Sequence, residues 1–476
     1  MKFAVHLRRR FSRSALPVAL ALMLAGCAYA LVHDGVVNES KAAEVRTRIQ
    51  KFRGLDFIRP VPLVAKTRDQ AQAMLEAEMR REHSEEDLRI GGMSGAMTGL
   101  YPRGMDLKSR TLALMRSQIA GFYAPHDKEM VLVEGAVDRS LWDRAAGMMS
   151  HRDVIGEMIL AHELTHALQD QHFHIERMLD QAKDNDDRDL ALKALAEGDA
   201  TLAGYGYVMG RLDDQAIAAI LARMRDLPRI FAAQSGAVPR GLSAPMMFQY
   251  TAGARFVALA YERGGWPAVN ALYGHPPDSS LQVMYPDDYY GRRLDPARIE
   301  IAGYQEVFAG WRKADDDTYG ALLIKTIIQR NLGAKAPEAG IVERWAGDRI
   351  LVFEKDRALA ILWIVAFRDA GSAARYEKIY SSILSRSSGP ETPWRVTANG
   401  TNVLVAIGAP AESFDRLAPA VWRASTVVIP PPRPGIAPVA PALQALASPA
   451  EANAQTAPPI ANPPPGVSAA PPTPPS

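Results

Sequence analysis

Apolar residues recur at helical spacing through most of the first 295 positions and give way to strand-like runs after that. Residues 38–89 predict a heavily charged helical region, clearest over 71–81 (AQAMLEAEMRR), and 107–118 predict a further helix. The period then changes: 119–123 and 130–134 predict two short strands joined by a turn through Pro125. Around 155–168, Ile155, Met158, Ile159, Leu160, Ala161, Leu164, Ala167 and Leu168 cover most of a helix's circumference, so that helix is expected to be buried. Helical pattern returns over 188–209, over 211–233 with a break expected at Pro228, and over 242–264, ending at Gly264-Gly265. Residues 301–323 mix strand-like and helical pieces, and 326–332 continue helical. Beyond them, 349–354, 358–367, 394–398 and 403–407 predict strands interleaved with helices at 370–385 and 411–422.

This order predicts an α+β protein: a mostly helical domain with a small hairpin over 27–295, then a smaller α+β unit over 296–426. From 427 to 476 the chain is rich in Pro and Ala with few aromatic or charged residues. Such a stretch cannot bury enough apolar surface to offset its ordering entropy, so a disordered tail is expected.

Composition adds little except at the start. With 48% hydrophobic and 23% charged residues the chain is ordinary globular material. Its formal charge of +2 conceals five basic residues and no acidic one within 1–26; the rest holds 50 basic against 53 acidic residues. That balance argues against a nucleic-acid surface. The basic start precedes a ten-residue apolar core (ALPVALALML) and Leu24-Ala25-Gly26-Cys27. The core is too short to span a bilayer. The whole resembles a bacterial lipoprotein signal, which implies removal of 1–26, lipidation of Cys27 and anchoring on the periplasmic side, with Ala28 compatible with outer-membrane sorting. An uncleaved anchor, or cleavage after Ala28 or Ala30, remains open. Cys27 is the sole cysteine, so no disulfide forms within the chain and the body holds no catalytic thiolate.

The chemistry sits inside the buried helix. His162-Glu163-Leu164-Thr165-His166 has the form H-E-x-x-H. Four residues turn a helix by about 400°, so both imidazoles leave nearly the same face, while Glu163 stands roughly 100° round from His162. Zinc suits such a pair, and a carboxylate beside it is placed to take a proton from a zinc-activated water. A third ligand is needed. Glu197, in Ala196-Glu197-Gly198-Asp199-Ala200, is the candidate, because a carboxylate among Ala and Leu needs something to neutralise it. Asp184, Asp186, Asp187 and Asp189 lie in a polar connection and are poorer candidates. His126, His151, His172, His174 and His275 read as surface or capping residues, His172 and His174 lying past the expected helix end.

HELTH followed by a helix bearing Glu197 resembles the gluzincin metallopeptidases. The resemblance implies a zincin-like fold, zinc held by His162, His166 and Glu197, Glu163 as general base, and a protein or peptide substrate. The expected strand pair resembles the zincin edge strand that holds an extended substrate. Position 201 is Thr where the best-known pattern has an aspartate, leaving Thr201, Asp170 or Asp199 to support a zinc histidine. AHELTHALQDQHF, GFYAP at 121–125 and PDSSLQVMYPDDY at 277–289 resemble a group of uncharacterised bacterial HExxH proteins over about two-thirds of the chain. For the oxyanion donor Tyr250 is the first choice and Tyr205 the second. The expectation is therefore a lipid-anchored periplasmic zinc endopeptidase; the alternative is a non-catalytic lipoprotein in which zinc only staples two helices, with a chaperone or scaffold role.

Overall fold

The computed structural model describes residues 31–118, 121–124, 127–134, 153–235, 238–389 and 391–436. The signal segment with Cys27, the tail beyond 436, His126 and His151 lie outside the described residues. The protein is of mixed α+β architecture.

A strand pair, β1 (Val32–His33) and β2 (Val36–Val37), precedes α1 (Glu39–Arg53). The three-stranded sheet then takes β3 (Leu63–Lys66), and α2 (Arg68–Glu82), α3 (Glu85–Met97) and α4 (Leu107–Gln118) follow. The expected hairpin forms as β4 (Gly121–Ala124) and β5 (Glu129–Val133), paired antiparallel. Strand β3 was not expected: it interrupts the region read as helical and pairs parallel with β5, giving the order β3-β5-β4 with β4 at an edge. Four residues between Pro62 and the helix cap at Thr67 are too few to show a period.

Two helices carry the motif region. Helix α5 (Val154–Phe173) starts at Asp153, whose side chain accepts from the Gly156 N–H at 3.0 Å. Leu160, Ala161, Leu164, Ala167 and Leu168 are fully buried, as the pattern implies. It runs further than expected, so His172 lies inside its last turn, and His174 closes it with a left-handed backbone of φ 54° before α6 (Ile175–Asp180). Helix α7 (Asp186–Met209) starts at Asn185, which accepts from the Arg188 N–H at 3.0 Å, and ends at Gly210.

Helix α8 (Asp214–Ser235) passes through Pro228 without the expected break. Pro228 itself lies on the exposed side of the helix, and its ring is accommodated there at the loss of one backbone bond to Met224. Helix α9 (Arg240–Gly274) kinks at Gly264 and Gly265, where the sequence placed its end. Helix α7 is clamped between α5 and α9 by missing side chains: a Cβ on Gly204 would stand 3.2 Å from that of His162, and one on Gly253 would collide with the Ala194 carbonyl. These glycines let the α7 backbone approach both neighbours closely.

Short helices α10 (Ser280–Met284) and α11 (Asp287–Tyr290) lead through β6 (Arg292–Arg293) and β7 (Arg298–Glu300) into a five-stranded antiparallel sheet of order β11-β12-β10-β9-β8. Its strands are β8 (Arg312–Asp317), β9 (Trp345–Lys355), β10 (Ala358–Phe367), β11 (Trp394–Asn399) and β12 (Asn402–Ile407). Helices α12 (Gly320–Leu332) and α13 (Ala370–Ser387) share a core with Trp345 and Trp363, and α14 (Phe414–Ala424) packs with Phe308 and Phe353. The first core also contains Ile90, Leu100 and Leu281, so the chain before 296 contributes to packing this sheet. The first part of the Pro-rich segment is ordered, against expectation: β13 (Thr426–Val428) pairs with β7 and β14 (Arg433–Pro434) with β6, tying down the chain as far as the Ile436 N–H on Tyr289. Ladder bonds outweigh composition there.

The N-terminus of α7 meets the sheet through buried carboxyls. The Asp186 N–H donates to Asp317 at 2.8 Å, and Ser280 donates to Asp187 from its N–H and hydroxyl. Burial pushes Asp187 up to about 8 against the Ser280 donors; burial and the charges of Asp189 and Asp315 raise Asp186, and burial and the charge of Asp186 raise Asp317. These groups hold protons that the unfolded chain has released above its ordinary carboxyl pKa near 4, so their contribution is complete below that pH and is lost as pH rises towards about 8. Melting temperature measured from pH 5 to 9 is expected to fall by several degrees, and Asp187→Asn is expected to flatten part of that fall; an unchanged slope in the variant would remove this account.

Candidate metal centre

Helical spacing brings His162 and His166 together on one face of α5, and the close α5–α7 crossing at Gly204 brings Glu197 opposite them. His162 Nε2 lies 3.2 Å from Glu197 Oε2 and 3.2 Å from His166 Nε2; His166 Nε2 lies 3.6 Å from Glu197 Oε2. Donors bound at about 2.0–2.2 Å to a tetrahedral zinc stand roughly 3.3–3.5 Å apart, so these three already trace one face of such a tetrahedron. Among the described residues this is the one group of His, Cys, Asp or Glu donors gathered tightly enough for a metal. The three side chains are 18–20% exposed, which leaves one side open.

The electrostatics agree with a site for a cation. Burial acts to raise the Glu197 carboxyl, but the imidazoles of His166 and His162 outweigh it and hold that carboxyl well below its usual range. Burial acts to lower His166, yet Glu197 and Glu163 push it up to about 9.

Glu163 stands beside the trio. Its Oε2 accepts the Tyr123 backbone N–H of edge strand β4 at 3.1 Å. Burial raises its carboxyl above the usual range, His162 and His166 opposing and Glu197 adding to the rise. Comparison with protein-family models, curated proteins and solved structures found no match.

The support for the histidines is a buried amide that sequence reasoning missed. His166 Nδ1 meets Gln169 Oε1 at 2.9 Å, and a proton on Nδ1 leaves the Nε2 lone pair for a metal. Gln169 in turn donates to the Ala196 carbonyl at 2.9 Å and to Asp199 at 3.2 Å. Asp199 is fully buried and accepts Arg53 Nε at 2.8 Å, Arg53 Nη2 at 3.0 Å and the Tyr273 hydroxyl at 2.7 Å. Arg53 comes from α1, is itself fully buried and lies over the Trp266 ring at 4.4 Å. Gln169 therefore takes the place the sequence offered to Thr201, Asp170 or Asp199, with Asp199 one step behind it. Gln169 is three residues after His166 inside an apolar helix, and a buried amide at that spacing was the available signal.

Other expected residues separate cleanly. Tyr250 on α9 is brought to the site: its ring stacks at 6.3 Å and 29° on His162, and its phenol is raised well above the usual range by the Glu197 charge, then by burial. Tyr205 packs in the core between α7 and α9. Asp170 is engaged by Arg59 at 2.7 Å and by the Tyr123 hydroxyl at 3.1 Å. His172 Nε2 meets the Asp56 carbonyl at 2.7 Å, and His275 caps α9, consistent with the structural roles given to both. Asp184, Asp186, Asp187 and Asp189 stand at or before the start of α7, far along it from Glu197.

Proposed function

We propose that the protein is a zinc-dependent endopeptidase of gluzincin type, zincin-like in its catalytic region and lipid-anchored at Cys27 in the bacterial envelope. The observation that carries the reading is the placement of Glu163: it lies within electrostatic reach of the His162–His166–Glu197 trio and accepts a backbone N–H from β4. A zinc held only as a staple between helices has no use for a carboxylate at that point. This favours the enzyme over a non-catalytic scaffold.

The residues take these parts. His162, His166 and Glu197 would hold the ion, which when bound would supply Lewis acidity and make a water molecule acidic near neutral pH. Glu163 accepts the proton from the attacking water and returns it to the leaving amine. Its raised carboxyl pKa suits a group that must both take and give. Tyr250, kept neutral by the Glu197 charge, donates towards the oxygen on which negative charge grows. Beyond the Tyr123 N–H that Glu163 accepts, β4 carries no further strand on its outer side among the described residues, and a substrate main chain pairing there suits an extended peptide whatever its sequence. A sequence feature supports the envelope setting: the lipobox-like Leu24-Ala25-Gly26-Cys27 precedes the body.

The purified protein is expected to bind one zinc per chain and to cleave an unfolded protein substrate, with loss on chelation and recovery on adding zinc. Glu197→Ala is expected to weaken zinc affinity by at least about 100-fold, since two imidazoles alone make an incomplete zinc site. Unchanged metal content in that variant would refute the ligand assignment.

A further inference from the structure

Strand β4 leads from Glu163 to a second, open cavity of about 310 Å³, lined by Arg59, Lys128, Asp170, His174, Glu176 and Arg177. We propose that this cavity is a carboxylate-binding subsite of the same cleft, in which Arg59 and Lys128 seat a negatively charged group of the peptide substrate; the inference rests on the peptidase reading above.

Tyr123 connects the two places. Its backbone N–H reaches Glu163 and its hydroxyl donates to Asp170 Oδ2 at 3.1 Å. Glu163 and Asp170 are two turns apart on one face of α5, a separation of about 10 Å at 1.5 Å per residue. Along an extended peptide at about 3.3 Å per residue that distance is three residues. A substrate lying on the β4 edge towards the C-terminal end of α5 therefore brings the group about three residues from the scissile bond to this cavity.

The cavity's polar groups are arranged around one buried anchor. Asp170, 7% exposed, accepts Arg59 Nη2 at 2.7 Å and Lys128 Nζ at 3.2 Å on the same oxygen that takes the Tyr123 hydroxyl. Lys128 also bonds Glu176 at 2.5 Å. Asp170 thus gathers two cations at a single point, while Arg59 and Lys128 remain 46% and 38% exposed. A guanidinium has five N–H donors and an ammonium three, so each keeps donors beyond those used here. Arg59, Lys128 and Arg177 outnumber Asp170 and Glu176, leaving an excess of positive charge. A carboxylate is the group this set is built to take, since charge-assisted bonds from Arg and Lys are among the strongest a side chain can offer. Two sources supply it: an Asp or Glu side chain in the substrate, or the carboxylate at the substrate's C-terminus.

The test is binding to zinc-loaded, full-length Glu163→Gln, which separates recognition from turnover. Calorimetry is run with peptides carrying Glu at successive positions, with neutral Gln counterparts, and with free or amidated C-termini. The expected result is at least about tenfold tighter binding of one acidic peptide over its neutral counterpart, reduced to less than about twofold by Arg59→Gln combined with Lys128→Gln and weakened by added salt. A preference abolished by amidation assigns the chain terminus; one that survives amidation and follows an internal Glu assigns the side chain. Equal or undetectable binding of acidic and neutral peptides, or an acidic preference untouched by the double variant, overturns the proposal. The peptidase reading fails separately, if the wild-type zinc protein cleaves none of the peptides that the variant binds.

Discussion

Glu163→Gln is expected to lower kcat/KM for peptide hydrolysis by roughly 10²–10⁴-fold, the range spanned by a positioned general base. Zinc content and melting temperature should stay close to wild type. The side chain keeps its length, and its amide oxygen still accepts the Tyr123 N–H that Glu163 holds at 3.1 Å. What disappears is the ability to take a proton from water. Parallel measurements of zinc stoichiometry and turnover decide between the readings: activity that survives the change would return the site to a structural role, because a zinc that only joins α5 to α7 does not depend on this carboxylate.

The second large effect lies behind the candidate metal centre. Arg53→Met is expected to cost about 3–5 kcal/mol of stability, because it leaves Asp199 as an uncompensated buried charge. Both partners are fully buried, and their bidentate contact joins positions 146 residues apart. Tyr273 and Gln169 still donate to Asp199, but neither carries charge. Zinc affinity should drop as well, by about 10–100-fold, since Gln169 takes its orientation from Asp199 and in turn holds His166. Denaturant unfolding and a competitive zinc titration check the two parts. Unaltered zinc affinity in a folded Arg53→Met protein would show that Gln169 is held by the Ala196 carbonyl alone.

The strands β9, β10, β11 and β12 were legible because continuous or alternating apolar runs mark them. The buried character of α5 was legible for the same reason. Strand β3 was not, being four residues long between a proline and a cap. Pro228 misled because the packing of Ile217, Ile220, Met224 and Phe231 holds the helix together across the one backbone bond that a proline removes. Residues 427–436 misled because composition says nothing about a partner strand more than a hundred residues earlier.

At the site the division follows the range of the interaction. His162, Glu163 and His166 are related by helical geometry within five positions, so their spacing alone determined that two imidazoles share a face with a carboxylate beside them. Glu197 was legible from its own cost, a carboxylate placed among Ala and Leu. Tertiary structure alone decided which atoms finish the arrangement: the Gly204 crossing that brings Glu197 to the histidines, the Tyr123 N–H on Glu163, and the Arg53–Asp199–Gln169 chain behind His166. Those contacts join helices and strands far apart in the chain. No local period records them, because what selects such residues is the need of each buried polar group for a partner in three dimensions.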